Sequence, residues 1–313
     1  MYIINAFKAD SKPLYNVTQH GYDYTKGCVT SGVIRRSGVI MTFTSWWGDW
    51  RLFEPEKYLS MLELVKSGSL DLRLASLLWV LMEKRVSIMV VAGPSWAGKT
   101  TVLNALLDFL PPETRQVKLQ GNFGAIEQLQ KDGPSGIYMV ADEISNHLFG
   151  YVWGEVARRV FDMLPRGYPL GGAMHARNAR EALEVLHYYL DIPLSVLAHI
   201  RVIIVLRAMP GRSYTEEPIR YMEAVSLVRP LNDGISLQVI AARGPDSDHA
   251  EFTGEKELKE ALSRVIGKCE SVIEEMSRRE RFLGRMMEEC KLSREEVREA
   301  VAEYYIRRAG EKT

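Results

Sequence analysis

Cysteine is scarce in these 313 residues. It occurs three times, at Cys28, Cys269 and Cys290, with no C-x-x-C pair. That usage argues against a disulfide framework or a zinc site and for a reducing compartment. Net charge is missing as well: 40 Lys and Arg balance 40 Asp and Glu. No whole-protein field would steer the chain to nucleic acid or to an anionic membrane, although a local basic patch stays compatible with that balance. Uncharged apolar runs are short, and none approaches the roughly 18 residues that a membrane-spanning helix needs. The opening stretch MYIINAFKADSKP has no long apolar core of the secretory kind. These absences predict a cytosolic protein. What is present is ordinary for a globular chain, with 46% apolar and 26% charged residues. The length allows one large domain, with or without small additions.

The chain is organised around Ser87–Thr101, SIMVVAGPSWAGKTT. An apolar run, Ile88 to Ala92, meets Gly93, four further residues, and then Gly98-Lys99-Thr100. This is the G-x-x-x-x-G-K-[ST] phosphate loop. Phosphate oxygens need backbone N–H donors at close range, so the loop must curl tightly. Glycines permit positive φ and leave no Cβ in the way. Lys99 would bring positive charge to the β- and γ-phosphates, and the Thr100 hydroxyl could ligate Mg²⁺. The following run, Thr101 to Leu107, has helical apolar spacing and stops before Pro111-Pro112; a helix there would aim its positive end at the anion. The predicted nucleotide-binding residues are Gly93, Pro94, Ser95, Trp96, Ala97, Gly98, Lys99, Thr100 and Thr101.

Upstream, residues 1–53 read as short-stranded and β-rich. Ser-Gly-Val-Ile occurs at 31–34 and again at 37–40, around Arg35-Arg36, which predicts a hairpin with a basic turn. Trp46, Trp47 and Trp50 form an aromatic cluster, a small core or an interface anchor, with base stacking as the alternative. Pro55 suits the first turn of a helix that runs through Leu59 to Val65. A second helix, about 70–85, carries Leu70, Leu74, Leu77, Leu78 and Leu81 on one face.

Downstream, Thr114–Gln120 reads as a strand and Ala125–Lys131 as a short helix. Ile137 to Ala141 is a buried strand that ends at Asp142-Glu143. An apolar strand ending in acids, downstream of a phosphate loop, is the Walker B pattern. One of the two carboxylates would hold Mg²⁺, and the second could take a proton from attacking water. Tyr151–Leu164 looks helical, Gly167–Gly172 looks like a loop leading to Met174-His175, and Glu181–Tyr189 looks helical again. Arg201–Leu206 is a buried strand, and Tyr221–Val228 and Ile235–Ala241 are strands at an antiparallel end. From Glu255 helical spacing runs through Met276, with the interleaved charges as a solvated face. Ser293-x-x-Glu296 is a capping box that opens the last helix.

Four stretches resemble the secretion ATPases of type II and type IV secretion, type IV pilus assembly and the archaellum, and are most similar to the archaeal members. They are SLDLRLASLLWVLMEKRVSIMVVAGPSWAGKTTVLNALLDFLPPETR, the Walker B strand IYMVADEIS, the histidine-box segment LGGAMHARNAREALEVL and the tail EEMSRRERFLGRMMEECKLSREEVREAVAEYY. The resemblance implies an α/β fold. A RecA-like phosphate-loop NTPase core (54–245) would lie between a small β-rich N-terminal region (1–53) and a C-terminal helical tail (246–313). It implies ATP and Mg²⁺ as ligands, a ring of six subunits, and force delivered to an integral membrane platform protein from a cytoplasmic, membrane-peripheral position. Residue by residue, it makes Lys99, Glu143 and His175 the catalytic set. Glu143 would polarise water, and His175 would sense the γ-phosphate or couple subunits.

The sequence departs from that family in several places. The acidic box would fall near Val117–Gly121, where the text is VKLQGNFG, and no carboxylate follows before Glu127. Asp142 replaces the Gly before the Walker B glutamate, and Ser145 replaces the Arg two beyond it. The segment from Glu143 to His175 is longer than the family's, and the N-terminal domain is reduced. Arg35, Arg36 and Arg51 are the available arginine fingers, each with surface charge as its plainer role. Three readings follow: a ring ATPase, a degenerate nucleotide-binding scaffold of the same machinery, and a nucleic-acid translocase. The neutral charge and the lack of a nucleic-acid module weigh against the last.

Overall fold

The computed structural model describes residues 58–93, 96–147, 150–209, 218–232, 234–267 and 272–310, together with the backbone of three short strands nearer the N-terminus. The chain divides into two compact units, one of Met1–Ala6 with Tyr58–Thr313 and one of Phe7–Lys57. The larger unit begins with strand β1 (Tyr2–Asn5). In the smaller unit, β2 (Val33–Arg36) and β3 (Val39–Thr42) pair antiparallel, Arg36 opposite Val39. The expected hairpin is there, but Arg35-Arg36 belongs to a strand rather than to its turn. Trp46, Trp47, Trp50 and Arg51 lie outside the described residues.

The rest of the larger unit runs α1 (Met61–Lys66), α2 (Leu72–Glu83), β4 (Ile88–Ala92), α3 (Lys99–Leu107), β5 (Arg115–Lys118), α4 (Gly124–Asp132), β6 (Ile137–Ala141), α5 (Gly154–Phe161) and β7 (Leu170–His175). It continues with α6 (Ala179–Glu184), α7 (Leu194–Leu197), β8 (Val202–Met209), β9 (Ile219–Leu231), β10 (Gly234–Ala242), β11 (Glu251–Phe252), α8 (Glu255–Ile266), α9 (Val272–Glu288) and α10 (Arg294–Gly310). Pro55, where a helix start is expected, lies outside the described residues, and α1 begins at Met61. Ser60 caps it, its hydroxyl accepting from Glu63 N at 2.9 Å while Glu63 Oε2 accepts from Ser60 N at 2.8 Å. This reciprocal pair fixes the helix start.

The sheet has the order β1-β10-β9-β8-β4-β7-β6-β5, with β11 on β10. Strands β5, β6, β7, β4 and β8 are parallel, and β9, β10 and β1 continue antiparallel. The phosphate-loop strand β4 is thus separated from the acid-ended strand β6 by one inserted strand, β7. This is the RecA-like α/β core expected. Parallel strands joined by helices bury both faces, and the side chains divide accordingly. Ile88, Val90 and Ala92 join one hydrophobic cluster with Val140 and Val202. Met89 and Val91 join the other, with Met139 and Ile203. Alternation of this kind follows from the two-residue period of a strand.

Strand β7 corrects the loop expected over Gly167–Gly172. Its two glycines dilute the β-pattern in the sequence, yet packing demands them. A Cβ on Gly171 would stand 2.8 Å from Tyr138 Cε1 and 3.1 Å from Leu103 Cδ1. One on Gly172 would stand 2.8 Å from Met89 Sδ and 3.1 Å from Ile144 Cδ1. Helix α3 and strand β6 therefore press on β7 where any side chain would collide.

Two helical expectations are trimmed. Tyr151–Leu164 contributes α5 and a separate turn at Leu164–Arg166. The long run from Glu255 breaks after Gly267, whose φ is +83, so α8 and α9 are distinct. The charges of α9 are also not all solvated. Arg279 is 0% exposed, bonds Glu275 at 2.9 Å and Glu83 more closely still, and lies over the Trp79 ring at 4.8 Å. Trp79 stacks on Phe109 at 5.1 Å and donates its Nε1–H to Tyr305 Oη at 3.0 Å. Through these contacts α9 and α10 join the same core as α2 and the end of α3. The capping box at Ser293 forms as expected, with Glu296 Oε2 2.9 Å from Ser293 N. No helix of the described residues is long and apolar enough to cross a membrane.

Candidate active site

The parallel order sets the site. β4, β7 and β6 run the same way, so their C-terminal ends share one edge, where open α/β sheets bind ligands. Register aligns Ala92 with His175 and Ala141 with Gly172. One residue past β4 the chain enters the phosphate loop, and one and two residues past β6 it places Asp142 and Glu143. His175, the last residue of the inserted strand, stands between them.

Gly98, at φ +87, is the N-cap of α3 and makes no side-chain capping bond. Gly98 thus offers the first N–H groups of α3 no side-chain acceptor, an arrangement suited to receiving an anion. Pro94 and Ser95 lie outside the described residues. Thr100 and Thr101 lie in the first turn of α3, and the Thr100 carbonyl accepts from Asn104 Nδ2 at 2.9 Å.

Lys99 turns inward and is only 6% exposed. Its Nζ is 3.3 Å from His175 Nε2 and 3.9 Å from Glu143 Oε2. His175 Nδ1 is 3.3 Å from the Gly93 carbonyl. A proton on Nδ1 satisfies both contacts, donating to Gly93 and leaving Nε2 to accept from Lys99.

The three groups perturb one another under burial. Burial pushes the Glu143 carboxyl up to about 7, against the pull of Lys99. Burial likewise holds the Lys99 amine below its ordinary range, with Glu143 opposing. For both partners desolvation outweighs their mutual attraction, so the pair is a poised one rather than a settled salt bridge. Burial lowers the His175 imidazole too, helped by Lys99 and opposed by the Gly93 bond. Perturbed titrating groups gathered at a strand edge make this the candidate site.

Two acceptors at this edge are orphans. Glu143 Oε1 and Asp142 Oδ1 are buried without a hydrogen-bond partner. Such atoms are costly unless something polar meets them. A Mg²⁺ ion with its water shell and a nucleotide fits that need, because Mg²⁺ takes one or two carboxylates plus phosphate oxygens. Among the described residues no three His, Cys, Asp or Glu form an all-protein metal cage. Asp142 Oδ2 is engaged by Lys118 Nζ at 3.1 Å. Lys118 lies on β5, the strand where an acidic box was sought, so a cation stands there instead.

The structure thus brings Lys99, Glu143 and His175 together, with Asp142 and Thr100 on the same edge. Two residues escaped sequence reasoning. His147 has its ring 5.8 Å from that of His175, edge to face; it follows the acidic pair by four residues but matches no spacing rule. Arg220 donates its Nε–H to the Trp96 carbonyl at 2.9 Å. It is 124 residues distant in sequence, and no local motif announces it.

Comparison with known proteins gives the following similarities. No family model matches the chain. It is 26% identical over 263 residues to the uncharacterized protein MJ1287 of Methanocaldococcus jannaschii, covering 77% of this chain and 96% of that protein. It is 23% identical over 270 residues to the uncharacterized protein MJ0900 of the same organism, covering 79% of this chain and 49% of that protein. Among solved structures it is similar to the VirB11 ATPase from the Brucella suis type IV secretion system, with 18% identity, 57% and 60% coverage of this and that chain, and a TM-score of 0.36. It is also similar to the Legionella pneumophila ATPase DotB, with 13% identity, 69% and 60% coverage, and a TM-score of 0.32. The chain therefore spans about half the length of MJ0900 and 60% of each of these two structures.

Proposed function

We propose that this protein hydrolyses ATP to ADP and phosphate, as a ring motor of a secretion or pilus-like machine. The observation that carries the reading is the meeting of Lys99, Glu143 and His175 at the shared edge of β4, β6 and β7. The loop from Gly93 to Thr101 would wrap the nucleotide's phosphates with backbone N–H groups, and Lys99 would leave Glu143 to bind the terminal phosphate oxygens. Freed from Lys99, Glu143 Oε2 accepts a proton from the attacking water. His175 holds the Gly93 carbonyl and so ties the loop to the Glu143 side. Thr100 and Asp142 would hold Mg²⁺, which supplies charge neutralisation along the phosphates when bound.

The ring of six, a neighbour's arginine, the membrane platform partner and a cytoplasmic, membrane-peripheral position are parts of the same proposal, supported by the sequence resemblance. One charge stabiliser would then arrive only on assembly. Turnover per subunit should therefore rise with protein concentration across the oligomerisation range. Equal turnover per subunit at all concentrations would refute the assembly requirement.

A second reading, a nucleotide-binding scaffold with little hydrolysis, is favoured by one observation: Lys118 occupies Asp142 where a further carboxylate is lacking. Background-level ATP turnover in wild type, Lys99→Ala and Glu143→Gln alike, with nucleotide still bound by wild type, would establish it. A nucleic-acid translocase is the weakest reading; a salt-sensitive rise in turnover on adding DNA would revive it.

A further inference from the structure

Four non-glycine residues among those described have positive φ: Arg85, Trp96, Asp191 and Cys290. Arg85, Asp191 and Cys290 each fall two residues beyond a helical turn that ends at Glu83, Tyr189 and Glu288. A left-handed residue there is the ordinary way to stop a helix. Trp96 has no such position. It lies between β4 and α3 at φ +67, with its side chain 75% exposed. Burial of the ring does not explain why a tryptophan stands in a conformation that opposes an L-residue.

The residue that grips this turn is Arg220. Its Nε–H donates to the Trp96 carbonyl at 2.9 Å. Its Cδ lies 3.8 Å from where a Cβ on Gly98 would be, so the side chain spans the loop from 96 to 98. The sheet delivers it there. β8 pairs with β4 only as far as Val91 opposite Val205, yet β8 itself continues to Met209. The β8–β9 ladder slips where β8 leaves β4: Val205 faces Ala224, then Leu206 faces Met222. Glu223 is the extra residue of this bulge, and bulges re-aim a strand near functional sites. Beyond it the free arm of β8 and β9 rises past β4, with Arg220 opposite Ala208. The neighbouring arginine of that arm, Arg207, is neutralised by Glu223, with Nε 3.0 Å from Oε1. Arg220 has no carboxylate partner among the described residues.

We propose that Arg220 is a positioning residue of the phosphate loop. It clamps the Trp96 carbonyl and holds the left-handed turn in the form that receives a nucleotide's phosphates. The proposal rests on the nucleotide-binding reading of the loop.

Titration calorimetry with Mg·ATP tests it on the full chain as wild type, Arg220→Ala, Trp96→Gly and the double variant. Arg220→Ala is expected to weaken binding roughly 10-fold, the size of one charge-assisted hydrogen bond. Glycine takes positive φ freely, so in the Trp96→Gly background the same change should cost under about 3-fold, because most of what the clamp supplied is then intrinsic. In turnover assays KM should rise while kcat stays within about 3-fold, the pattern of lost binding rather than lost chemistry. Arg220→Lys keeps a cationic N–H donor for the Trp96 carbonyl and should recover part of the affinity; it also serves if the alanine variant fails to fold. Affinity unchanged in Arg220→Ala would overturn the proposal, as would the same 10-fold loss in the Trp96→Gly background. Wild type that binds no nucleotide would overturn the nucleotide reading and this inference together; wild type that binds while Arg220→Ala binds equally overturns this inference alone.

Discussion

Lys99 Nζ sits 3.9 Å from Glu143 Oε2, and both side chains are almost wholly buried. Burial disfavours charge on each of them by more than the other partner favours it. In the proposed mechanism a pair in that condition gains when an anion arrives: the phosphates would take over Lys99, and Glu143 would be left to handle a proton.

A pH dependence follows. The Glu143 carboxyl, pushed up to about 7, must be ionised to accept a proton from water. The ratio kcat/KM should therefore rise between pH 6 and 8 and then level off, since that ratio reports the free enzyme. Stability carries the opposite sign. A carboxyl raised in the folded state stabilises the fold below its unfolded value of 4.5, and that contribution is lost as pH rises through about 7. Chemical denaturation of wild type and Glu143→Gln across this window checks it: the wild type should lose stability relative to the variant as pH increases.

His175 links the loop to the acidic strand through Gly93 and Lys99. His175→Ala should lower kcat roughly 10- to 100-fold while leaving Mg·ATP affinity within about 3-fold. Steady-state kinetics with a binding measurement separates the two; unchanged kcat would remove His175 from the chemistry.

Gly171→Ala tests the packing of the inserted strand. The added methyl would meet Tyr138 Cε1 at 2.8 Å, and overpacking of this kind costs about 1–3 kcal/mol. Urea denaturation should show that loss. A Tyr138→Phe partner change would not relieve it, because the collision is with the ring edge and not with the hydroxyl.

Arg279→Met removes the buried cation between Glu275 and Glu83. Breaking one side of a buried network typically costs about 3–5 kcal/mol, so this variant should be the most destabilised of the set in denaturant. Burial drives the Glu275 carboxyl up, but Arg279, Tyr304 and Arg308 outweigh that and hold it below the ordinary value of 4.5. Its contribution is present above pH 4.5 and is lost as pH falls below it.

Much of this site could be read before the fold was known, because its chemistry is compressed into contiguous text. Gly93 to Gly98 needs a glycine at each end and a lysine beside the second, and Asp142-Glu143 needs only an apolar strand before it. Strand β7 was hidden because its position is set by neighbours: Tyr138 and Met89 forbid side chains at 171 and 172, and glycines do not look like a strand. Arg279 was hidden for the converse reason. In sequence it is one charge among many on an amphipathic helix, and only the approach of Trp79 and Glu83 buries it. Arg220 belongs to neither class, since a β-bulge and a strand overhang bring it to a loop that lies far away along the chain.

The most direct measurement pairs Mg·ATP binding with ATP turnover in wild type, Lys99→Ala and Glu143→Gln. Glu143→Gln should bind Mg·ATP at least as tightly as wild type and lose roughly 100-fold or more in turnover, while Lys99→Ala should lose binding. Glu143→Gln turning over ATP at the wild-type rate, or wild type binding no Mg·ATP, would contradict the assignment of Lys99, Glu143 and His175 to one hydrolytic site.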